Sequence, residues 1–267
     1  MRRWTAGMRV DLNCDLGEGF GPWRMGDDAA MMQIVTTANI ACGFHAGDPE
    51  TMRRTVEHAR AAGVAIGAHP GYPDLAGFGR RTWPGVTQRD IENFVAYQVG
   101  AMAAMAELAG HRLTHVKTHG ALGNACADDD GLAMAVARGI RAVDSGLAFM
   151  VMPGTATQRA ADRAGLRPIL EIYADRSYGA TFNLVPRGLD GAVLHDPELV
   201  LARLLQTLTD GVIESQCGRR LKTEVHSVCV HGDTNGAVAL AGAIRSGLEA
   251  AGWTLASTVK AGPSADG

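Results

Sequence analysis

The feature that most restricts the fold of this 267-residue chain is a repeated alternation. Short apolar β-type runs, each followed by a stretch with helical patterning, recur along its length. The runs fall at 9–16, 38–44, 64–69, 114–119, 148–153, 168–174 and 226–231. Helical stretches follow at about 48–62, 87–109, 128–142, 155–164, 196–210 and 235–251. The first of these opens with Asp48-Pro49-Glu50, a cap, a proline at the first helical position and an early acid, and closes at Ala62-Gly63. Strands separated by helices must pair in parallel, because the crossover returns the chain to the same end of the sheet. About seven such units without a break in composition favour a closed or nearly closed α/β barrel over an open doubly wound sheet. An eighth strand is expected, if anywhere, near 191–195. One β/α-barrel domain over 8–255 is expected, with flexible ends at 1–7 and 256–267.

Composition removes several classes of function. The net charge of −3 is spread along the chain, so no basic face is offered to a phosphodiester and no nucleic-acid partner is expected. No apolar run approaches the roughly 20 residues that cross a bilayer, and the opening MRRWTAG lacks the apolar stretch of an export signal. Cysteines 14, 42, 126, 217 and 229 are odd in number, and three sit in apolar runs. That is the setting of reduced, buried thiols, and a cytoplasmic location is expected.

The chemistry gathers where the apolar runs end. Asp11, Asn13 and Asp15 alternate along the first strand and share one face, with Glu18 just beyond. His45 follows the second run and His69 ends the third. Lys117 and His119 share a face of the fourth, Asp175-Arg176 ends the sixth, and His231-Gly232-Asp233 the seventh. A parallel barrel brings all these ends to one mouth, where its active sites are built. A single strand-end histidine is most often just hydrogen-bonded, but four at successive ends mark a site. Lys117, on an otherwise apolar strand, must be paired when buried. It serves either as an anion clamp or in a salt bridge to Asp11 or Asp15. The adjacent Arg80 and Arg81 add two cations in a glycine-rich loop near the mouth. The Met/Ala-rich helix at 99–109 reads as core before interface.

There is no phosphate-loop GxxxxGK[ST], no GxGxxG, no GxSxG elbow, no HExxH and no paired CxxC. The imidazoles and carboxylates of neighbouring strands therefore either hold a divalent cation or run general acid/base chemistry, and linear spacing does not separate the two.

Seven motifs taken together carry a resemblance: DLNCDLGEGFG (11–21), NIACGFHAGDP (39–49), GAHPGYPDLAGFGRR (67–81), KTHGALGN (117–124), ADRSY (174–178), LVPRG (184–188) and VHGDTNGAV (230–238). In this order they resemble the LamB/YcsF family, over roughly residues 8–253. The resemblance implies a distorted seven-stranded (β/α) barrel of the glycoside hydrolase/deacetylase type. It implies the A component of an ATP-dependent 5-oxoprolinase, in which 5-oxo-L-proline, ATP and water give L-glutamate, ADP and phosphate, together with partner subunits B and C. Carried over position by position, the site comprises His69, His119, Lys117, Asp15, Glu18 and His45 as catalytic groups. Asp11, Asn13, Asp175, Arg176, Arg187, His231 and Asp233 are then substrate- or phosphate-binding. His69 or His119 would be the base on water, and Asp15 with His45 or His69 would hold a divalent metal of the magnesium or zinc kind. The chain carries Thr118 and Gly123 where the family's motif has proline and tyrosine. The alternative reading is a stand-alone metal-dependent amidohydrolase or deacetylase that needs no ATP.

Overall fold

The computed structural model describes residues 8–232 and 236–259. Seven parallel strands form its centre: β1 (Arg9–Leu16), β2 (Thr37–Ala41), β3 (Ala65–His69), β4 (Leu113–Lys117), β5 (Ala148–Val151), β6 (Pro168–Tyr173) and β9 (Ser227–Cys229). They pair in that order, and β9 pairs back onto β1, with Asp11 opposite Ser227 and Asn13 opposite Cys229. The sheet is thus a closed seven-stranded parallel barrel. The expected eighth strand near 191–195 is not formed: Val193 makes only an isolated bridge with Arg176.

Between β6 and β9 the chain instead inserts helix α7 (Pro197–Asp210) and an antiparallel hairpin of β7 (Val212–Glu214) and β8 (Arg220–Lys222). A short β10 (Thr254–Leu255) pairs with the start of β1. From there residues 256–259 run across the N-terminal end of the barrel, where Val259 packs with Ala65, Ala148, Met150 and Ile169. The flexible end expected from 256 is therefore corrected for 256–259, while 1–7 and 260–267 lie outside the described residues.

The outer layer consists of α1 (Asp28–Met32), α2 (Pro49–Ala62), α3 (Gln88–Leu108), α4 (Gly120–Asp128), α5 (Asp130–Val143), α6 (Ala156–Ala164), α7 and α8 (Ala237–Ala250). Local chemistry sets their ends. Asp48 accepts from the amides of Glu50 and Thr51 at the start of α2, and Gly63 closes that helix in the left-handed conformation that costs glycine least. Thr87 and Asp90 form a capping box on α3. Val99, Met102 and Ala106 of α3 face the core, as expected for that Met/Ala-rich stretch. Burial of these apolar faces against the outward residues of the strands, among them Leu12, Cys14, Ile40, Ile66, Val116, Phe149 and Val228, makes the main core.

Within the barrel the filling is different. Branched aliphatics usually occupy a parallel barrel's interior. Here Asp11, Asn13, Thr37, Asn39, His115, Glu171 and Ser227 are all buried. They are tolerable because all but Glu171 are hydrogen-bonded to one another or to neighbouring threonines, and Glu171 is met by the charge of Lys117. Asn13 donates to Ser227 Oγ at 2.7 Å, Asn39 donates to Asn13 Oδ1 at 2.8 Å, and His115 Nε2 lies 2.8 Å from Asn39 Oδ1. Gly67 on β3 is the matching gap, since any side chain there would collide with the His115 ring.

Candidate active site

The polar interior rises in layers towards the C-terminal ends of the strands. At the bottom, Asp11 accepts hydrogen bonds from Thr36, Thr37 and Ser227. Burial pushes its carboxyl above the usual range despite those donors. The middle layer is the Asn13–Asn39–His115 network. Above it, Lys117 Nζ lies 2.9 Å from Asp15 Oδ1, 2.8 Å from Glu171 Oε1 and 3.1 Å from Cys229 Sγ. Asn13 Oδ1 lies 3.4 Å from it as well, so the ammonium donates to Asp15, Cys229 and Asn13 and faces Glu171 as an ion pair. Lys117 is therefore paired with Asp15 and not with Asp11, and Glu171 is a partner the linear reading did not name. Although burial alone would raise the Asp15 carboxyl and lower the lysine, proximity holds Asp15 well below its ordinary range and Lys117 well above its own. His69 and Lys117 do this for Asp15, and Asp15, Cys229 and Glu171 for the lysine.

The top layer is a histidine cluster. His69 Nε2 lies 3.3 Å from Asp15 Oδ2 and 3.0 Å from His119 Nδ1. Glu18 Oε1 lies 3.2 Å from His45 Nε2 and 3.5 Å from His119 Nδ1. Glu18, His45, His69 and His119 each turn one ligand atom inward, all within 4.8 Å of one another, and all four residues are buried. Burial first, and then the neighbouring imidazoles, push the pKa values of His45 and His119 well down, so both rings are neutral. Neutral imidazoles beside a carboxylate are the donor set of a divalent transition metal. The set fits such an ion for a further reason. His69 Nδ1 lies 2.8 Å from the carbonyl oxygen of Lys117, and His119 Nε2 lies 2.8 Å from that of Phe78. A carbonyl only accepts, so both of these nitrogens carry the hydrogen. The neutral His119 ring therefore has a bare Nδ1, which faces His69 Nε2 at 3.0 Å, and the two nitrogens converge on a point that a cation can occupy in place of a hydrogen on His69 Nε2.

Phe78, at φ +53, is the one non-glycine left-handed residue among those described, and this conformation turns its carbonyl to His119. Arg80 lies over its ring at 4.8 Å, and Arg81 turns away to an ion pair with Asp74.

A cavity of about 580 Å³ opens above these layers, within the size range of small-molecule sites. Of the residues expected at the site, it is lined by Asp15, Glu18, His69, Lys117, His119, Arg176, Arg187 and His231. His45 and Asp175 stand behind this lining. His45 backs Glu18, and both oxygens of Asp175 lie 2.8 Å from His231 Nδ1. Asp11 and Asn13 lie below the cavity and do not reach it, and Asp233 lies outside the described residues. Glu171 and Tyr173 also line the cavity. Their signal was present, since they alternate on β6 as Asp11, Asn13 and Asp15 do on β1. Thr118 and Gly123, the two departures from the family motif, face the same space. Among the described residues no helix is long and apolar enough to cross a membrane.

Residues 10–262 match the model of the LamB/YcsF family. The A component of 5-oxoprolinase from Rhodopseudomonas palustris is 55% identical over 249 residues, 93% of this chain and 98% of that protein. A second such relative, the A component numbered 2 of 5-oxoprolinase from Bradyrhizobium diazoefficiens, is 51% identical over 92% of this chain and 96% of its own length. Among solved structures, the lactam utilization protein of Thermus thermophilus superposes with a TM-score of 0.88 at 39% identity, covering 94% of this chain and 100% of that one. The polar-filled barrel, its strand-end cluster and these matches agree, and the chain belongs to the LamB/YcsF family.

Proposed function

We propose that this chain is the A component of an ATP-dependent 5-oxoprolinase, which opens 5-oxo-L-proline to L-glutamate with hydrolysis of ATP to ADP and phosphate. The observation that carries the reading is the 55% identity spanning 98% of the Rhodopseudomonas palustris 5-oxoprolinase component. Its reacting partners are two further subunits, B and C, and its compartment is the cytoplasm, where four buried reduced thiols, Cys14, Cys42, Cys126 and Cys229, persist unpaired.

The chemistry demanded is severe, because a five-membered lactam is a stable amide with a poor leaving group. Phosphoryl transfer from ATP to the lactam oxygen makes the ring carbon electrophilic, water then attacks, and C–N cleavage leaves the amine of glutamate. Two waters are consumed in all, one to open the ring and one to release phosphate. Arg176 and Arg187 line the cavity and would meet the anionic groups of substrate and nucleotide. The Asp175–His231 pair lies on the same side. Lys117, donating to Asp15, Asn13 and Cys229 and ion-paired with Glu171, fixes Asp15 as an ionised carboxylate instead of clamping substrate. Asp15, ionised and facing the cavity, would orient the attacking water, and His69 or His119 would take its proton. The Glu18 and histidine cluster would hold a divalent cation, which when bound polarises the lactam oxygen or the water.

That cluster also favours a second reading, a metal-dependent amidohydrolase independent of ATP. One assay separates the two. ADP and glutamate release is measured from 5-oxoproline and ATP with the chain alone, with subunits B and C, and with His69→Ala in the full mixture. Turnover confined to the complete wild-type mixture is expected. Amide hydrolysis by the chain alone without ATP overturns the first reading in favour of the second.

A further inference from the structure

The four-residue cluster does not act as one ligand set. We propose that Glu18 Oε1, His69 Nε2 and His119 Nδ1 are the protein ligands of a single divalent cation. His45, within the same 4.8 Å cluster, is a positioning residue that donates its Nε2–H to Glu18. The proposal rests on the cation reading of the site given above, and it replaces the set Asp15, His45 and His69 that the sequence suggests.

Ring orientation carries the argument. An imidazole nitrogen's lone pair lies in the ring plane, so a metal it binds lies near that plane. The rings of His45 and His119 are stacked, with centroids 3.7 Å apart and planes 3° from parallel. Two parallel stacked planes share no point, so one ion cannot lie in both, and at most one of the pair is a ligand. The His69 ring stands at 86° to that of His119, so their planes cross, and His69 Nε2 and His119 Nδ1 converge at 3.0 Å.

Hydrogen bonding decides which of the stacked rings it is. His69 and His119 each have the second nitrogen committed to a main-chain carbonyl, of Lys117 and of Phe78, the support that metal-bound histidines normally have. The second nitrogen of His45, Nδ1, is buried with no partner. It faces the main chain at Gly71, where even a Cβ would stand only 2.8 Å away. Ligation through Nε2 would force the hydrogen onto Nδ1 and create an orphaned buried donor, a rare and costly state. Donation from Nε2 to Glu18 leaves Nδ1 a bare acceptor, which interiors tolerate better. The same donation orients the Glu18 carboxylate towards His119.

The test uses the whole chain and Zn²⁺ or Co²⁺ alone, without lactam or ATP. Wild type is expected to bind one ion per chain by calorimetric titration and metal analysis. His69→Ala, His119→Ala and Glu18→Gln are expected to lose stoichiometric binding. His45→Phe, which keeps the stacked ring but not the N–H, is expected to keep one ion with affinity weakened about 10-fold. To keep the test independent of variant folding, the wild-type imidazole nitrogens are also followed by ¹⁵N NMR. Zn²⁺ should move His69 Nε2 and His119 Nδ1 to the metal-bound range and leave a hydrogen on His45 Nε2. Loss of binding in folded His45→Phe, retained binding in His69→Ala, or a His45 Nε2 that loses its hydrogen on loading each overturn the proposal. A metal-loaded chain that fails to support 5-oxoproline cleavage with its partners overturns the lactam reading and leaves this one standing. A fully active chain that binds no ion does the reverse.

Discussion

Replacing Lys117 by methionine removes a buried cation while keeping most of the side-chain volume, and its effect follows from the contacts around Nζ. The lysine and Glu171 side chains are 3% and 2% exposed, and Asp15 is 15% exposed. Two carboxylates are left facing one another without the charge that compensated them. Breaking a buried pair in this way costs about 3–5 kcal/mol, which for a chain of this size lowers Tm by roughly 6–20 °C. The pH dependence has a definite sign. In the wild type the Asp15 carboxyl is held below its unfolded value, so its stabilisation is present above pH ~4 and lost as pH falls through the folded value. In Lys117→Met that carboxyl loses one of the neighbours that held it down, and burial then makes the site take up a proton that the unfolded chain does not bind near neutrality. The variant's stability then rises relative to wild type by about 1.4 kcal/mol per pH unit on acidification. Urea unfolding between about pH 5 and 8 measures both quantities, and Lys117→Met/Glu171→Gln should recover part of the loss through coupling. A variant within about 1 kcal/mol of wild type near neutral pH, with no pH-dependent difference, would falsify the three-charge arrangement.

Further outcomes follow from the polar interior. Gly67→Ala drives a Cβ into the His115 ring and should cost about 1–3 kcal/mol in urea unfolding; a neutral effect would show that the ring does not fill that space. Burial first, then Lys117, depresses the His115 pKa to about 3. Folding stability should therefore fall by about 1.4 kcal/mol per pH unit from about 6.5 towards 3 on this account, because the unfolded chain takes the proton first; His115→Gln should flatten that limb, and an unchanged slope would refute it. Asp11→Asn lies below the cavity, so it should leave metal affinity and turnover within about 2-fold while costing roughly 1 kcal/mol of stability; a large loss of turnover in a folded variant would place Asp11 in the chemistry.

Much of this was legible in one dimension because it is set locally. The cap at Asp48-Pro49, the alternation of Asp11, Asn13 and Asp15, and the histidines ending successive runs each depend on residues near in sequence. Together they imply a parallel barrel with one polar mouth. Register across strands is not local, and there the linear reading stopped. Glu171 sits in a six-residue strand whose other members read as core, and only the pairing of β6 with β9 and the closure of β9 on β1 bring it to Lys117. The segment near 191–195 pairs instead in antiparallel fashion with residues 175–177, away from the barrel ladder, and the barrel closed without it. The sequence by itself determined which chemistry the chain owns: imidazoles, carboxylates and one strand lysine at the ends of parallel strands. Only the tertiary structure decided which nitrogens are bare, which rings lie parallel and which charges meet, because those depend on angles and distances between strands far apart in the chain.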